Sequence, residues 1–370
     1  MKPGAAALCL LLAMGAPGYG AAAAPALEGI PRYDHIFVII AENKSFERMT
    51  AHPEWAPNLG RLAARYGSAT HFYAETHPSE PNYVAMVGGD TFGIRDDDAY
   101  YCKPGMKDPF CGKTERPGYV DHSIAARSLA DQLAEHHLSW KSYEEDLPEP
   151  GSLAPRWPNA DSPVPGKPFA LYAAKHNGFI NFASVHDASE SERAAHLVGF
   201  DALDADLALG NLPNFATIVP NQCNDMHGLS GADVPPDCHG TEALIRRGDA
   251  EIGMLTDKIM QSPAWRHGNS AIVITFDEND GASREGAPQG CCGYDPASPA
   301  NFGGGQIMTL VITNHGPHPM ADPTPYNHYS LLRTIEDAFG ISEHLGHAAD
   351  SDKGVVAMTP LFAAADLEQP

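Results

Sequence analysis

The chain is short of positive charge. Lysine and arginine number 24 against 47 aspartates and glutamates, a formal net charge of −23. A surface this acidic repels nucleic acid and anionic membranes, so neither is expected as a partner. Nor does it steer an anionic ligand from a distance. Any anion site must be local, built from a metal ion, backbone donors or a few cations. Long apolar runs are missing too: past Ala24 nothing approaches the ~20 residues of a membrane-spanning helix, and no stable membrane anchor is expected. The cysteines lack the paired spacing of a zinc ribbon. With no internal repeat and no linker, one domain with long insertions is the simplest organisation.

What is present begins at the amino terminus. Lys2 precedes an apolar run, Ala5 to Met14, and small residues follow at Ala21 to Ala24. This is the pattern of a secretory signal peptide, with an apolar run too short to span a bilayer. Cys9 lies too early in it for a lipoprotein cleavage box. Residues 1–24 are expected to be the signal and residues 25–370 one domain, secreted or periplasmic. The six remaining cysteines, Cys102, Cys111, Cys223, Cys238, Cys291 and Cys292, suit an oxidising compartment. Proximity favours Cys102 with Cys111 and Cys223 with Cys238. Adjacent Cys291 and Cys292 are left to a vicinal bridge or to other partners.

Strands and helices alternate along the rest. His35 to Ile40 (HIFVII), Leu138 to Tyr143, Asn214 to Val219, Ala271 to Phe276 (AIVITF) and Ile307 to Thr313 read as strands. Asn58 to Tyr66, Pro81 to Val87, Ser123 to His136, Thr241 to Gln261 and Tyr329 to Phe339 read as helices. Continuous apolar strands between helices predict an α/β fold, its central sheet mostly parallel and covered by helices on both faces. Residues 94–119, 147–168 and 281–305 read as long loops, some tied by disulfides.

In open α/β sheets ligands bind beyond the carboxyl ends of the strands. Two strands end there in acid: HIFVII runs into Glu42 and Asn43, and AIVITF into Asp277 and Glu278. As parallel neighbours they would converge four oxygen donors, which repel one another unless a cation sits among them. The plainer alternative is that acidic residues simply open loops after strands. A third element, Thr76-His77-Pro78-Ser79-Glu80-Pro81-Asn82, sets Ser79 before a proline-started helix. Free N–H groups there favour an alkoxide or a bound oxyanion, and a nearby divalent cation would activate the serine further. The alternative is that Ser79 is an ordinary N-cap.

These segments carry a family resemblance. Glu42-Asn43-Lys44-Ser45-Phe46-Glu47, Thr275-Phe276-Asp277-Glu278 and the stretch from Asn327 to Glu336 resemble motifs of the bacterial phosphoesterase family, which contains acid phosphatases and non-haemolytic phospholipases C. The stretch from Pro220 to His227 is similar to a segment of the short exported phosphatases, including the phosphatidylinositol-3-phosphatase-like ones. The matches run from about Asp34 to Gly340 in family order. The resemblance implies an alkaline-phosphatase-like fold, a metal held by Glu42, Asn43, Ser79, Asp277 and Glu278, and Ser79 as nucleophile. Ser79-Glu80-Pro81-Asn82 is also similar to the Thr-x-Pro-Asn of nucleotide pyrophosphatases, which implies that Asn82 helps to hold a phosphate oxygen. Thr76, two residues before a proline as well, is the rival nucleophile. Sulfatases of this superfamily use Cys-x-Pro-x-Arg; Tyr83 stands in place of that arginine and argues against sulfatase activity.

Of the 18 histidines, His227, beyond a strand, is the candidate general acid. His328, at the start of the closing helix, is a candidate to line the substrate site. His77 sits beside the nucleophile, and His239 and His315 are weaker candidates. The expectation is a secreted, metal-dependent phosphomonoesterase of the acid phosphatase type, taking a small phosphorylated substrate or a lipid headgroup through a phosphoserine. One divalent ion is expected, Ca²⁺, Mg²⁺ or Mn²⁺ rather than Zn²⁺, because the ligands are rich in oxygen and lack the Asp-His-Gly pattern of two-zinc relatives. A phospholipase C-type diesterase is the alternative, although the phospholipases it resembles carry extra carboxyl-terminal domains. A non-catalytic secreted binding protein is the third reading.

Overall fold

The strands of the computed structural model are β1 (His35–Ala41), β2 (Gly67–Ala74), β3 (Trp140–Glu144), β4 (Arg156–Trp157), β5 (Tyr172–Ala173), β6 (Leu197–Val198), β7 (Phe215–Val219), β8 (Ser270–Phe276), β9 (Gly305–Thr313) and β10 (Met320–Asn327). The structure describes residue 1 and residues 26–158, 169–231, 234–281, 290–293 and 303–363. The expected signal segment, Met1 apart, lies outside these residues. Eight strands form one sheet in the order β10-β2-β9-β8-β1-β7-β3-β6, and β4 and β5 form a separate ribbon. In the large sheet β9 runs antiparallel to both neighbours; every other pairing is parallel.

The central strands explain themselves. β7 and β8 are buried along their whole length, and β1 is buried past His35. Uniformly apolar strands need cover on both faces as well as a partner on each edge. The longest helix, Thr241–Gln261, supplies part of that cover. Buried Asp249 on it accepts hydrogen bonds from the N–H groups of Asn58 and Leu59 at 3.0 and 2.8 Å, which caps the start of the helix Pro57–Ala63. Among the described residues no helix is long and apolar enough to cross a membrane.

The structure departs from the sequence pattern in several places. The helix expected over residues 123–136 is confined to Leu129–Glu135, because Ser128 and Asp131 form a capping box that starts it there. Ile124 instead makes a β-bridge to Phe182. The helix expected from Pro81 begins at Ser79 and ends at Gly88. The strands β2 and β10 are not legible in the residue pattern. A register irregularity between Ala69 and Phe72 breaks the alternation of β2, and two prolines make β10 read as loop. At the sheet edge, where β10 lies, prolines are tolerated. Disulfides join Cys102 to Cys111, Cys223 to Cys238, and the neighbours Cys291 and Cys292.

Candidate active site

The site forms where β1, β7 and β8 end. The register pairs Ala41 with Phe276, so Glu42-Asn43 and Asp277-Glu278 leave the sheet side by side. Asn43 takes a left-handed backbone at φ 55°, which asparagine tolerates. Its N–H donates to Asp277 Oδ1 at 3.0 Å and its Nδ2 donates to Glu42 Oε2 at 2.9 Å. On the other side of β1 the segment after β7 folds back, and Glu42 N–H donates to Asp225 O at 2.7 Å. Lys44 locks the two turns together. Its buried ammonium donates to Met226 O at 2.7 Å, Asn43 O at 2.9 Å and Glu42 O at 3.5 Å.

Ser79 arrives from further away. β9 separates β2 from β8, and the loop after β2 has to cross that gap. Gly303 and Gly304 hold it, donating to Glu75 O at 3.0 Å and Ala74 O at 2.8 Å. A Cβ on Gly304 would lie 2.5 Å from Thr76 O, so a larger residue would push the loop away. Asn82 clips the loop from the helix side. Its Oδ1 accepts from the N–H groups of Glu75 and Thr76 at 3.0 and 3.1 Å, and its Nδ2 donates to Thr76 O and Pro78 O at 2.9 and 3.1 Å. Ser79 is therefore the first residue of the helix, with Pro78 at the cap. Its Oγ donates to Glu42 Oε2 at 3.1 Å, and Glu278 Oε1 lies 3.4 Å away. Thr76 Oγ1 is turned to His77 O at 3.3 Å. The His77 ring pairs with Glu278.

Glu42, Asp225 and Asp277 are fully buried. Burial, reinforced by the neighbouring carboxylates, holds Glu42 and Asp225 well above the usual carboxylate range and pushes Asp277 up to about 7. Glu42 Oε1, Asp225 Oδ2 and Asp277 Oδ2 make no hydrogen bond. The His176 ring lies between the first two, 3.4 Å from each. Ligand atoms of Glu42, His176 and His227 all lie within 4.8 Å of one another. Buried carboxylate oxygens without partners are costly unless a proton or a cation meets them. This donor set, two strand ends of carboxylates faced by imidazoles, fits a divalent metal ion.

The remaining candidates fall into place around this centre. His227 Nδ1 meets Gly228 O at 2.6 Å, which makes Nδ1 the protonated nitrogen and leaves Nε2 a lone pair. Burial and the Lys175 charge lower its pKa to about 4. His328 is buried behind the site, with Nε2 on Phe276 O at 3.0 Å and its backbone N–H on Glu75 Oε1 at 3.1 Å. It joins the closing helix to the end of β8 and to the Ser79 loop. His239 is exposed, and His315 packs beside Tyr33 at the opposite end of β8. The helix amino terminus, expected to hold an anion on its backbone, is partly closed: Glu80 N–H donates to Asp97 Oδ1 at 3.1 Å, and Pro81 has no N–H.

Sequence reasoning missed His176, Asp225, Lys175 and Asp97. Lys175 and His176 lie in a short 3-10 turn, Ala174–His176, which carries no periodicity. The one available signal was a Lys-His pair in so acidic a chain. His176 stacks on Tyr83, ring centroids 5.4 Å apart at 15°. The tyrosine that replaces the sulfatase-type arginine thus supports an imidazole.

The model of the Phosphoesterase family matches residues 52–342. The chain belongs to the phosphoesterase family. Ser79, His227, Asp277, Glu278 and His328 fall within the matched span; Glu42 and Asn43 lie just before it. The chain is 27% identical over 331 residues to the phosphatidylinositol-3-phosphatase of Mycobacterium tuberculosis, covering 88% of this chain and 83% of that one. It is 33% identical over 322 residues to an acid phosphatase of Aspergillus fumigatus, covering 85% of this chain. A phosphate-repressible acid phosphatase of Penicillium chrysogenum is 26% identical over 316 residues. The chain spans only 56% and 60% of the two fungal proteins. Among solved structures, a protein in the alkaline phosphatase superfamily from Vibrio parahaemolyticus superposes with a TM-score of 0.47 at 12% identity, over 84% of this chain and 67% of that one. A likeness that distant carries no argument about activity.

Proposed function

We propose that this phosphoesterase is an exported, metal-dependent phosphomonoesterase that acts on small phosphate monoesters through a phosphoserine at Ser79. One observation carries the reading. Ser79 Oγ is hydrogen-bonded to Glu42 inside a cluster of buried carboxylates, of which Glu42 Oε1, Asp225 Oδ2 and Asp277 Oδ2 make no hydrogen bond. Glu42, Asn43, Asp277, Glu278 and Ser79 would hold the ion, with His176 and His227 adding nitrogen donors. The oxygens suit Ca²⁺, Mg²⁺ or Mn²⁺, and the imidazoles bring Zn²⁺ within range. A bound divalent ion would lower the serine pKa and polarise phosphorus.

The chain's own residues do the rest. Glu42 Oε2 already accepts the Ser79 proton and is placed to take it as Oγ attacks phosphorus in line. The Ser79 O–P bond forms, the bond to the alcohol oxygen breaks, and the departing oxygen takes its proton from solvent, while Glu42 keeps the serine proton until the serine is released. Water then cleaves the phosphoserine, returning the serine and inorganic phosphate. His227, expected to be the proton donor, is reassigned to ligand duty, because its one N–H is held by Gly228 O. Asn82 is reassigned from phosphate contact to positioning, because both ends of its amide are engaged by the loop. Three disulfides among the described residues support an oxidising, exported setting.

The test is phosphate release from p-nitrophenyl phosphate, with bis-p-nitrophenyl phosphate and p-nitrophenylphosphorylcholine in parallel, each with and without chelator. Chelator-sensitive hydrolysis of the monoester alone is the expected result. Cleavage of the diesters instead would replace this reading with a phospholipase C-type one. Silence on all three with metal restored would leave a binding protein.

A further inference from the structure

We infer that Lys175 is the cation that binds the phosphoryl oxygens of the substrate, and that Asp97 is the positioning residue that aims it. This rests on the phosphatase reading above and extends it to a residue outside the carboxylate cluster. The need comes from charge. A phosphate monoester must approach Glu42, Asp225, Asp277 and Glu278 in a chain whose net charge is −23. One divalent ion leaves that neighbourhood negative. The backbone offers little help, because the first turn of the Ser79 helix has its Glu80 N–H on Asp97 and a proline next.

The cations described around the site can be compared by what already holds them. Lys44 has its donors on three backbone carbonyls. Arg48 pairs with Asp280, and His77 with Glu278. Lys175 differs. Its ammonium has one carboxylate partner, Asp97 Oδ2 at 3.2 Å, and otherwise faces the His227 Nε2 lone pair at 3.5 Å. An ammonium has three N–H donors, so at least one remains for a ligand beside the Glu42, His176 and His227 group, within reach of an anion bound to an ion held there. Its side chain is only 16% exposed, and in such a setting a charged donor binds an oxyanion strongly.

Asp97 performs two tasks with one carboxylate. Oδ1 takes the Glu80 N–H at the helix start, and Oδ2 takes the Lys175 ammonium. Its neighbours fix its backbone on either side. Asp96 Oδ1 lies 3.0 Å from Nε2 of buried His122, whose Nδ1 lies 2.8 Å from Glu80 Oε1. The Asp98 carboxylate accepts from the N–H groups of Gly112 and Lys113 at 3.1 and 2.7 Å, beside the Cys102–Cys111 bridge. The three successive aspartates thus tie the disulfide loop, the Ser79 helix and Lys175 into one frame.

The experiment measures inorganic phosphate binding, by calorimetry and by competitive inhibition of p-nitrophenyl phosphate hydrolysis, on the metal-loaded wild type, Lys175→Met, Lys175→Arg and the double variant Asp97→Asn/Lys175→Met. Metal content and unfolding temperature are recorded for each. The methionine variant should bind phosphate about tenfold to a hundredfold more weakly, the range of one charge-assisted hydrogen bond. Its KM should rise while metal content stays at the wild-type level, and arginine should restore part of the affinity. The double variant leaves no stranded aspartate charge and should show the same loss if Lys175→Met alone folds poorly. Wild-type affinity in either methionine-containing variant would overturn the inference, as would a loss of metal in parallel with phosphate. A wild type that binds phosphate but hydrolyses no ester would sink the catalytic reading and leave the phosphate site standing. A metal-loaded wild type that binds no phosphate would sink both.

Discussion

Replacing Glu42 by glutamine separates charge from coordination. Glu42 is fully buried, with Asp225 and Asp277 raising its pKa further. Two carboxylates about 4 Å apart at an effective dielectric near 20 repel by about 4 kcal/mol. Proton uptake by the cluster relieves most of that, leaving on the order of 1–2 kcal/mol at neutral pH. Glutamine removes the remainder at little structural cost. Its oxygen keeps the bonds from Asn43 Nδ2 and Ser79 Oγ, and its NH₂ falls at the Oε1 position, 3.4 Å from His176 Nε2. Without metal, Glu42→Gln should therefore unfold a few degrees above the wild type, given roughly 2–4 °C per kcal/mol for a large domain. With metal the order inverts. A site holding an ion at a hundredfold excess over Kd gains about 2.7 kcal/mol, and a neutral amide forfeits most of that gain. The assay is thermal denaturation followed by circular dichroism in chelator, then in a titration of Mn²⁺ or Ca²⁺. A variant destabilised in chelator yet raised by metal as much as the wild type would refute the reasoning, and Glu42 would be a structural acid beyond the ion's reach.

Ser79→Ala should lower kcat by at least about a thousandfold while the unfolding temperature in chelator holds and metal affinity falls with the loss of one ligand; rapid quench with radiolabelled substrate should trap a phosphoprotein in the wild type only, and comparable turnover of the metal-saturated variant would move the attack to Thr76 or to water. Asn82→Ala removes four hydrogen bonds from the Ser79 loop and should cost about 2–4 kcal/mol of stability together with activity; activity lost at an unchanged unfolding temperature would return Asn82 to substrate contact. Glu144, buried and bonded to Ser142 Oγ at 2.6 Å, has its pKa raised by burial from 4.5 to about 8. Across that window the folded chain keeps a proton that the unfolded chain releases, so stability falls as pH rises, by on the order of a few kcal/mol in full. Glu144→Gln should flatten the decline in unfolding temperature through this range; an unchanged slope would assign the loss to other buried acids such as Glu336.

The sequence determined the strand ends. HIFVII and AIVITF are too uniformly apolar to be anything but central strands, and the residues that follow such strands have to emerge at the sheet edge. That is why Glu42, Asn43, Asp277 and Glu278 were legible, and the register of Ala41 with Phe276 places them together. The Thr241–Gln261 helix was legible to its termini because its apolar spacing is sustained over its whole length. The serine was legible from the prolines around it. What only the tertiary structure decided is which groups from elsewhere meet them. Periodicity reports the face an element buries and says nothing of loops. His176 and Lys175 lie on a 3-10 turn and Asp97 on a loop, all far in sequence from the strand ends, and they reach the site because their segments pack against the Ser79 helix. The same distance rule decided roles. Asn82 and His227 were found as residues, but whether an amide or an imidazole nitrogen is free for a ligand depends on the partner it has already taken, and those partners, the Glu75–Pro78 loop and Gly228 O, are set by three-dimensional packing.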